Sequence, residues 1–140
     1  MAQTLTIQTI SNELAETLTQ GAIAKAREMG IPMCIAICDP SGTLVQFLRM
    51  DKAALLSVQI AQDKAYTAVS FGMATHEWHD FIKDDAPLNT GIVHTARLVV
   101  FGGGYPIKVN GEVVGGIGVS GGHYTHDMAV AQAALAAAGL

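Results

Sequence analysis

The stretch Val113-Val114-Gly115-Gly116-Ile117-Gly118-Val119-Ser120-Gly121-Gly122, followed by His123-Tyr124-Thr125-His126-Asp127, reads as a buried strand that runs into a glycine turn and opens a last helix. Amides at a helix N-terminus point outward and favour negative charge. A turn without β-carbons beside two imidazoles is therefore a candidate site for an anion, a metal or a haem.

The elements around this stretch follow from it. Asn110-Gly111 is a strong hairpin turn, because both residues tolerate positive φ, and it joins a strand at Ile107 to Val109 to the long strand Glu112 to Val119. Upstream, Leu98 to Phe101 reads as another strand and Gly102-Gly103-Gly104-Tyr105-Pro106 as a loop. Downstream, Thr125 to Ala138 is an alanine-rich helix suited to close packing. In the first half, Ile10, Leu14, Leu18 and Ala22 form a helical apolar stripe that ends at Gly30 before Ile31-Pro32. Asp39-Pro40-Ser41-Gly42 is a turn between two β-rich runs, Met33 to Cys38 and Thr43 to Leu48, which predicts a hairpin. Asp51 starts a second helix, with Leu55, Val58, Ala61, Ala65 and Ala68 at helical spacing. Thr75 caps a short helix through Ile82, and Asp84-Asp85-Ala86-Pro87 breaks it ahead of an irregular or briefly helical segment to Ala96. Helices interrupting paired hairpins predict an α+β domain, mainly antiparallel, over residues 1–140.

A chain of 140 residues is most economically one domain. Half its residues are hydrophobic and 14% are charged, a balance that predicts a homo-oligomer in which a partner subunit covers apolar surface. A net charge of -4, without any basic stripe, argues against nucleic acid as a partner. With no signal-peptide pattern and no long apolar run, the chain reads as cytoplasmic and not membrane-bound. Cys34 and Cys38 fall on one strand face, too far apart for an ordinary disulfide, and read as reduced core residues.

Three segments together resemble a known family. Arg49-Met50-Asp51 with Ser57, Ala61, Lys64-Ala65 and Thr67-Ala68, then Gly102-Gly103-Gly104-Tyr105-Pro106-Ile107, then Gly115 to Gly122 with Asp127, look like the GlcG/HbpS family, which includes the C-terminal domain of PduO. The resemblance implies a profilin-like α+β fold, dimers and larger homo-oligomers, and haem or corrinoid binding in some members. It also implies a setting in small-molecule catabolism. Where relatives commonly carry Thr and Gln after the last glycine pair, this chain has His123 and His126, which enriches the segment in potential ligands.

His76 and His79, three apart, share a helix face and offer one metal ion or haem edge two imidazoles. A plain solvated face is the competing explanation, and the spacing does not match the zinc-protease motif. His123 and His126 flank the glycine turn and serve either as ligands or as a structural cap. Asp127 is explained by the helix dipole alone. Arg49 can clamp a carboxylate or propionate, or pair with Asp51 or a neighbouring subunit. Lys64 can meet the same anion, or extend to solvent.

Two mechanisms follow, from different classes. In the first, apolar walls with Tyr105 or Tyr124 enclose haem or a related cofactor, His126 ligates iron, and Arg49, Lys64 and the amides of Gly121 and Gly122 hold an anionic group. In the second, His123 or His126 acts as general acid or base on a small carboxylate, alone or with a divalent metal held by His76, His79, His123 and His126. Isomerase, hydratase and lyase chemistry all fit the second. A third possibility is a structural oligomer without ligand, its glycines serving close packing and its alanine-rich last helix serving as an assembly surface. Ser120 has no assignable base, so no serine triad is expected.

Overall fold

The computed structural model describes all residues 1–140. Helix α1 (Asn12–Met29) begins where the Ser11 hydroxyl accepts the Leu14 amide and ends at Gly30, whose amide bonds back to the carbonyls of Ala26 and Arg27. Strands β1 (Cys34–Cys38) and β2 (Leu44–Arg49) form the first hairpin. Its turn is built by Asp39, whose carboxylate accepts the amides of Ser41 at 2.9 Å and Thr43 at 3.0 Å. Helix α2 (Leu55–Phe71) follows, then a 3₁₀ turn (Thr75–Glu77), the short helices α3 (Trp78–Ile82) and α4 (Ala86–Gly91), and a second 3₁₀ turn (Ile92–His94). Strands β3 (Gly104–Val109) and β4 (Glu112–Ser120) make the second hairpin, and α5 (Tyr124–Ala137) closes the fold.

The four strands form one antiparallel sheet in the order β2-β1-β4-β3. Strand alternation sorts side chains to two faces. Ile35, Ile37, Ile117 and Val119 join Leu18, Ala22, Val130 and Ala134 in the larger core, under α1 and α5. Cys34, Ala36 and Cys38 join Ala61 and Ala65 in the smaller one, under α2. Both cysteines are free and buried, as expected.

Helix α2 lies unusually close to β4, and the glycines make this possible. A Cβ built on Gly118 would collide with the Ala61 carbonyl oxygen, and one on Gly116 with that of Ala65. The Asn110-Gly111 turn forms as expected, with φ of 52° and 82°.

Several expected boundaries move. Leu98 to Phe101 is not a strand: the Val99 amide bonds to the Thr67 hydroxyl on α2 at 3.0 Å, so this segment is tied to a helix, and the edge strand starts at Gly104, inside the expected loop. Asp51 does not start α2. Lys52 takes a left-handed φ of 67°, the Ala53 amide closes a turn onto the Met50 carbonyl, and the helix begins at Leu55. The last helix is not purely an assembly surface either, since Ala131 and Ala134 are buried and a Cβ on Gly21 of α1 would lie 2.9 Å from Ala137 Cβ.

Candidate functional site

The most unusual polar group is Lys64. It stands on the inner face of α2 between Ala61, Ala65 and Ala68 and is fully buried. Its ammonium donates to Asp127 Oδ2 at 2.8 Å and to the Val119 carbonyl at 2.9 Å, and lies 5.1 Å from the centroid of the Phe101 ring. Burial pulls the Lys64 pKa below the usual lysine range, against the opposing pull of Asp127. Lys64 neither extends to solvent nor waits for a propionate, because its charge is already met inside the protein.

The same carboxylate closes the glycine turn. Asp127 Oδ1 accepts the Gly122 amide at 3.0 Å, so the anion position at the start of α5 is filled by the chain's own side chain. Gly121 packs against Pro32 and Met33, where a Cβ would clash with the Pro32 carbonyl. Gly121 and Gly122 thus serve packing and capping. His123 is the N-cap of α5: its Nδ1 accepts the Thr125 amide at 3.3 Å and lies 2.9 Å from the Thr125 hydroxyl. His126 is exposed, its ring 6.4 Å from that of His123, and makes no hydrogen bond through its side chain.

Arg49 is exposed at the end of β2. Its Nε and Nη2 both donate to the Ala53 carbonyl, at 3.1 and 2.8 Å, clamping the turn before α2 in place of pairing with Asp51. That turn is built by the chain itself and leaves Arg49 outside every cleft described below.

His76 and His79 line one cleft. Thr75, fully buried, accepts the Gly104 amide through its hydroxyl at 2.9 Å and so pins the 3₁₀ turn to β3. The Glu77 carboxylate reaches back to the Ala74 amide at 3.2 Å. With the turn fixed, His76 and His79 line a cleft of about 490 Å³ with Asp80, Val100, Phe101, Gly102 and Tyr124. The His76 ring lies 5.6 Å from that of Tyr105, and Tyr124 is 4.1 Å from His123. Tyr105 is half-buried, its hydroxyl has no partner, and burial raises its pKa. Tyr124 thereby links the cleft wall to His123.

No three His, Cys, Asp or Glu side chains in the chain are grouped to hold a metal ion. The four histidines expected as a metal set are not gathered in one place: His123 is engaged as a cap and His126 stands apart from the cleft lining. What sequence reasoning missed is the Lys64–Asp127 pair. Its signal was available: Lys64 occupies the centre of the apolar stripe of α2, where a solvated lysine does not fit.

A four-stranded antiparallel sheet with α2 on one face, α1 and α5 on the other, and an imidazole-lined cleft beside β3 defines a profilin-like α+β protein. The chain belongs to the HbpS-like family, whose model, described as haem degrading protein HbpS-like, matches residues 10–136. It is 38% identical over 130 residues to an uncharacterised 15.0 kDa protein of the dhaT-dhaS intergenic region of Citrobacter freundii, covering 92% of each chain. It is 40% identical over 121 residues to the corrinoid adenosyltransferase PduO of Salmonella typhimurium, covering 86% of this chain but 36% of that protein. Among solved structures, Klebsiella pneumoniae ORFY superposes with a TM-score of 0.92 at 30% identity, over 99% of this chain and 97% of the other. PduOC in its heme complex superposes with a TM-score of 0.86 at 36% identity, over 92% and 94%.

Proposed function

We propose that this protein binds haem in the cleft lined by His76, His79, Phe101 and Tyr124. The observation that carries the proposal is the likeness to PduOC, a domain of 36% identity solved as a heme complex. The chemistry of the cleft supports it. A bare divalent ion in a protein needs about three converging ligands, whereas haem supplies four nitrogens of its own and asks the protein for one or two. A pair of imidazoles between aromatic rings suits the second requirement. When bound, haem would supply a redox-active iron. His76 or His79 would hold it from the protein side, while Phe101 and Tyr124 pack against the ring. No lysine or arginine lines the cleft, so its affinity for haem would come from the imidazoles and the apolar and aromatic walls.

The protein acts as a homo-oligomer in this account, since Leu55, Leu56, Phe71, Phe81 and Val93 leave large apolar side chains exposed. A haemin titration followed in the Soret region tests the binding. Wild type should saturate near one haem per chain, H76A or H79A should weaken binding by about tenfold or more, and H126A should bind as wild type. Loss of binding in H126A alone would place the ligand at the start of α5 instead. Equal, weak, unsaturable uptake by all four proteins would refute the proposal.

A further inference from the structure

A second cavity, of about 300 Å³, is lined by Trp78 at the start of α3, which lies between His76 and His79 in the chain. Its walls are apolar and aromatic, with Phe71, Trp78, Ile92 and Leu98 among them. Trp78 is 2% exposed, and its indole N–H has no acceptor anywhere in the protein. At the rim stands Arg97, a non-glycine residue held at a φ of 66°. The Thr67 hydroxyl fixes that backbone by donating to the Arg97 carbonyl at 2.8 Å. The guanidinium lies 4.0 Å from the centroid of the Tyr66 ring, and its Nε donates to Asp63 at 2.9 Å. Asp63 also accepts from Gln59 at 2.8 Å, and is not part of the cavity wall. Nη1 and Nη2 of Arg97 have no partner within the chain, so the end of its fork is free.

We infer that this cavity is a binding site for a small carboxylate with a flat or branched apolar body. The body packs against Trp78 and Phe71, and the carboxylate takes the two terminal nitrogens of Arg97 in a paired hydrogen bond. The two terminal nitrogens of Arg97 are donors without acceptors, which selects an anion over a cation. The cavity volume sits at the low end of the range for small-molecule sites and suits a one-ring acid. The site is separate from the histidine cleft: the two share no lining residue.

Trp78 is the protein's only tryptophan, so its fluorescence reports this wall directly. Benzoate is the probe, titrated into the full-length protein by fluorescence and by calorimetry. Saturable binding of one benzoate per chain is expected, weakened about tenfold or more in R97Q and for the neutral isostere benzamide. Ala96 is exposed at the same cavity, so A96L narrows the mouth without disturbing the core and should also reduce binding. Binding in H76A/H79A should equal wild type, which keeps this outcome distinct from that of the haem proposal. No saturable binding up to about 10 mM benzoate, as when a second copy of the chain covers the cavity, would overturn the inference. So would equal binding of benzoate and benzamide, or binding unchanged in both R97Q and A96L.

Discussion

At the scale of single residues the decisive group is Lys64. A fully buried ammonium is tolerated only because Asp127, itself 2% exposed, and the Val119 carbonyl replace its water. Removing one partner strands the other charge. K64M should therefore destabilise the fold by about 3–5 kcal/mol in urea unfolding, and D127N by a similar amount. The double variant K64M/D127L should cost clearly less than the sum of the singles, and additive losses would show that the pair is not coupled. A second residue-scale expectation concerns Cys38, whose thiol burial pushes up to about 11 from an ordinary 9.0. Between those values the native state holds a proton that the unfolded chain releases, so stability falls as pH rises from about 9 to about 11, by roughly 2–3 kcal/mol. C38A should flatten that alkaline decline, and an identical slope in both proteins would contradict the assignment. The sequence shows both cysteines on one strand face by alternation, and as core residues because a free cysteine packs like a small hydrophobe. It shows Lys64 and Asp127 only as separate polar residues, because their pairing spans 63 positions and depends on how α2 crosses β4.

At the scale of elements, the close contact of α2 with β4 organises the molecule. The Ala61 carbonyl occupies the space a Gly118 side chain would need, and both partners are backbone, so neither can swing aside. G118A should cost about 2–4 kcal/mol and shift the thermal midpoint down, whereas an alanine at Gly91, where φ is -100° and nothing lies within reach of the added carbon, should cost far less. Equal effects at the two positions would remove the packing explanation. Both hairpins were legible because their turns have local chemistry: Asp39 organises its own turn, and Asn110-Gly111 accepts positive φ. Leu98 to Phe101 misled for the opposite reason. Its apolar pattern suits a strand, yet its backbone is claimed by Thr67, a partner more than 30 positions earlier that no local pattern reveals. The histidine pair at residues 76 and 79 was legible as a shared face. At the glycine turn, the chain's own Asp127 carboxylate takes the Gly122 amide.

At the scale of the whole molecule, one short segment contributes to two clefts, with His76 and His79 lining one and Trp78 lining the other. No helix is long and apolar enough to cross a membrane. The exposed apolar side chains on α2, α3 and the second 3₁₀ turn predict that the protein sediments as a species heavier than its 14.6 kDa chain. A monomer at micromolar concentration in sedimentation velocity would contradict this. The central claim, that an imidazole of the cleft holds haem iron, is tested most directly by electron paramagnetic resonance of the ferric complex formed with ¹⁵N-histidine-labelled protein. Hyperfine coupling to a protein imidazole, present in wild type and absent in H76A/H79A, is the predicted result. A spectrum in which wild type and H76A/H79A are identical would contradict the account.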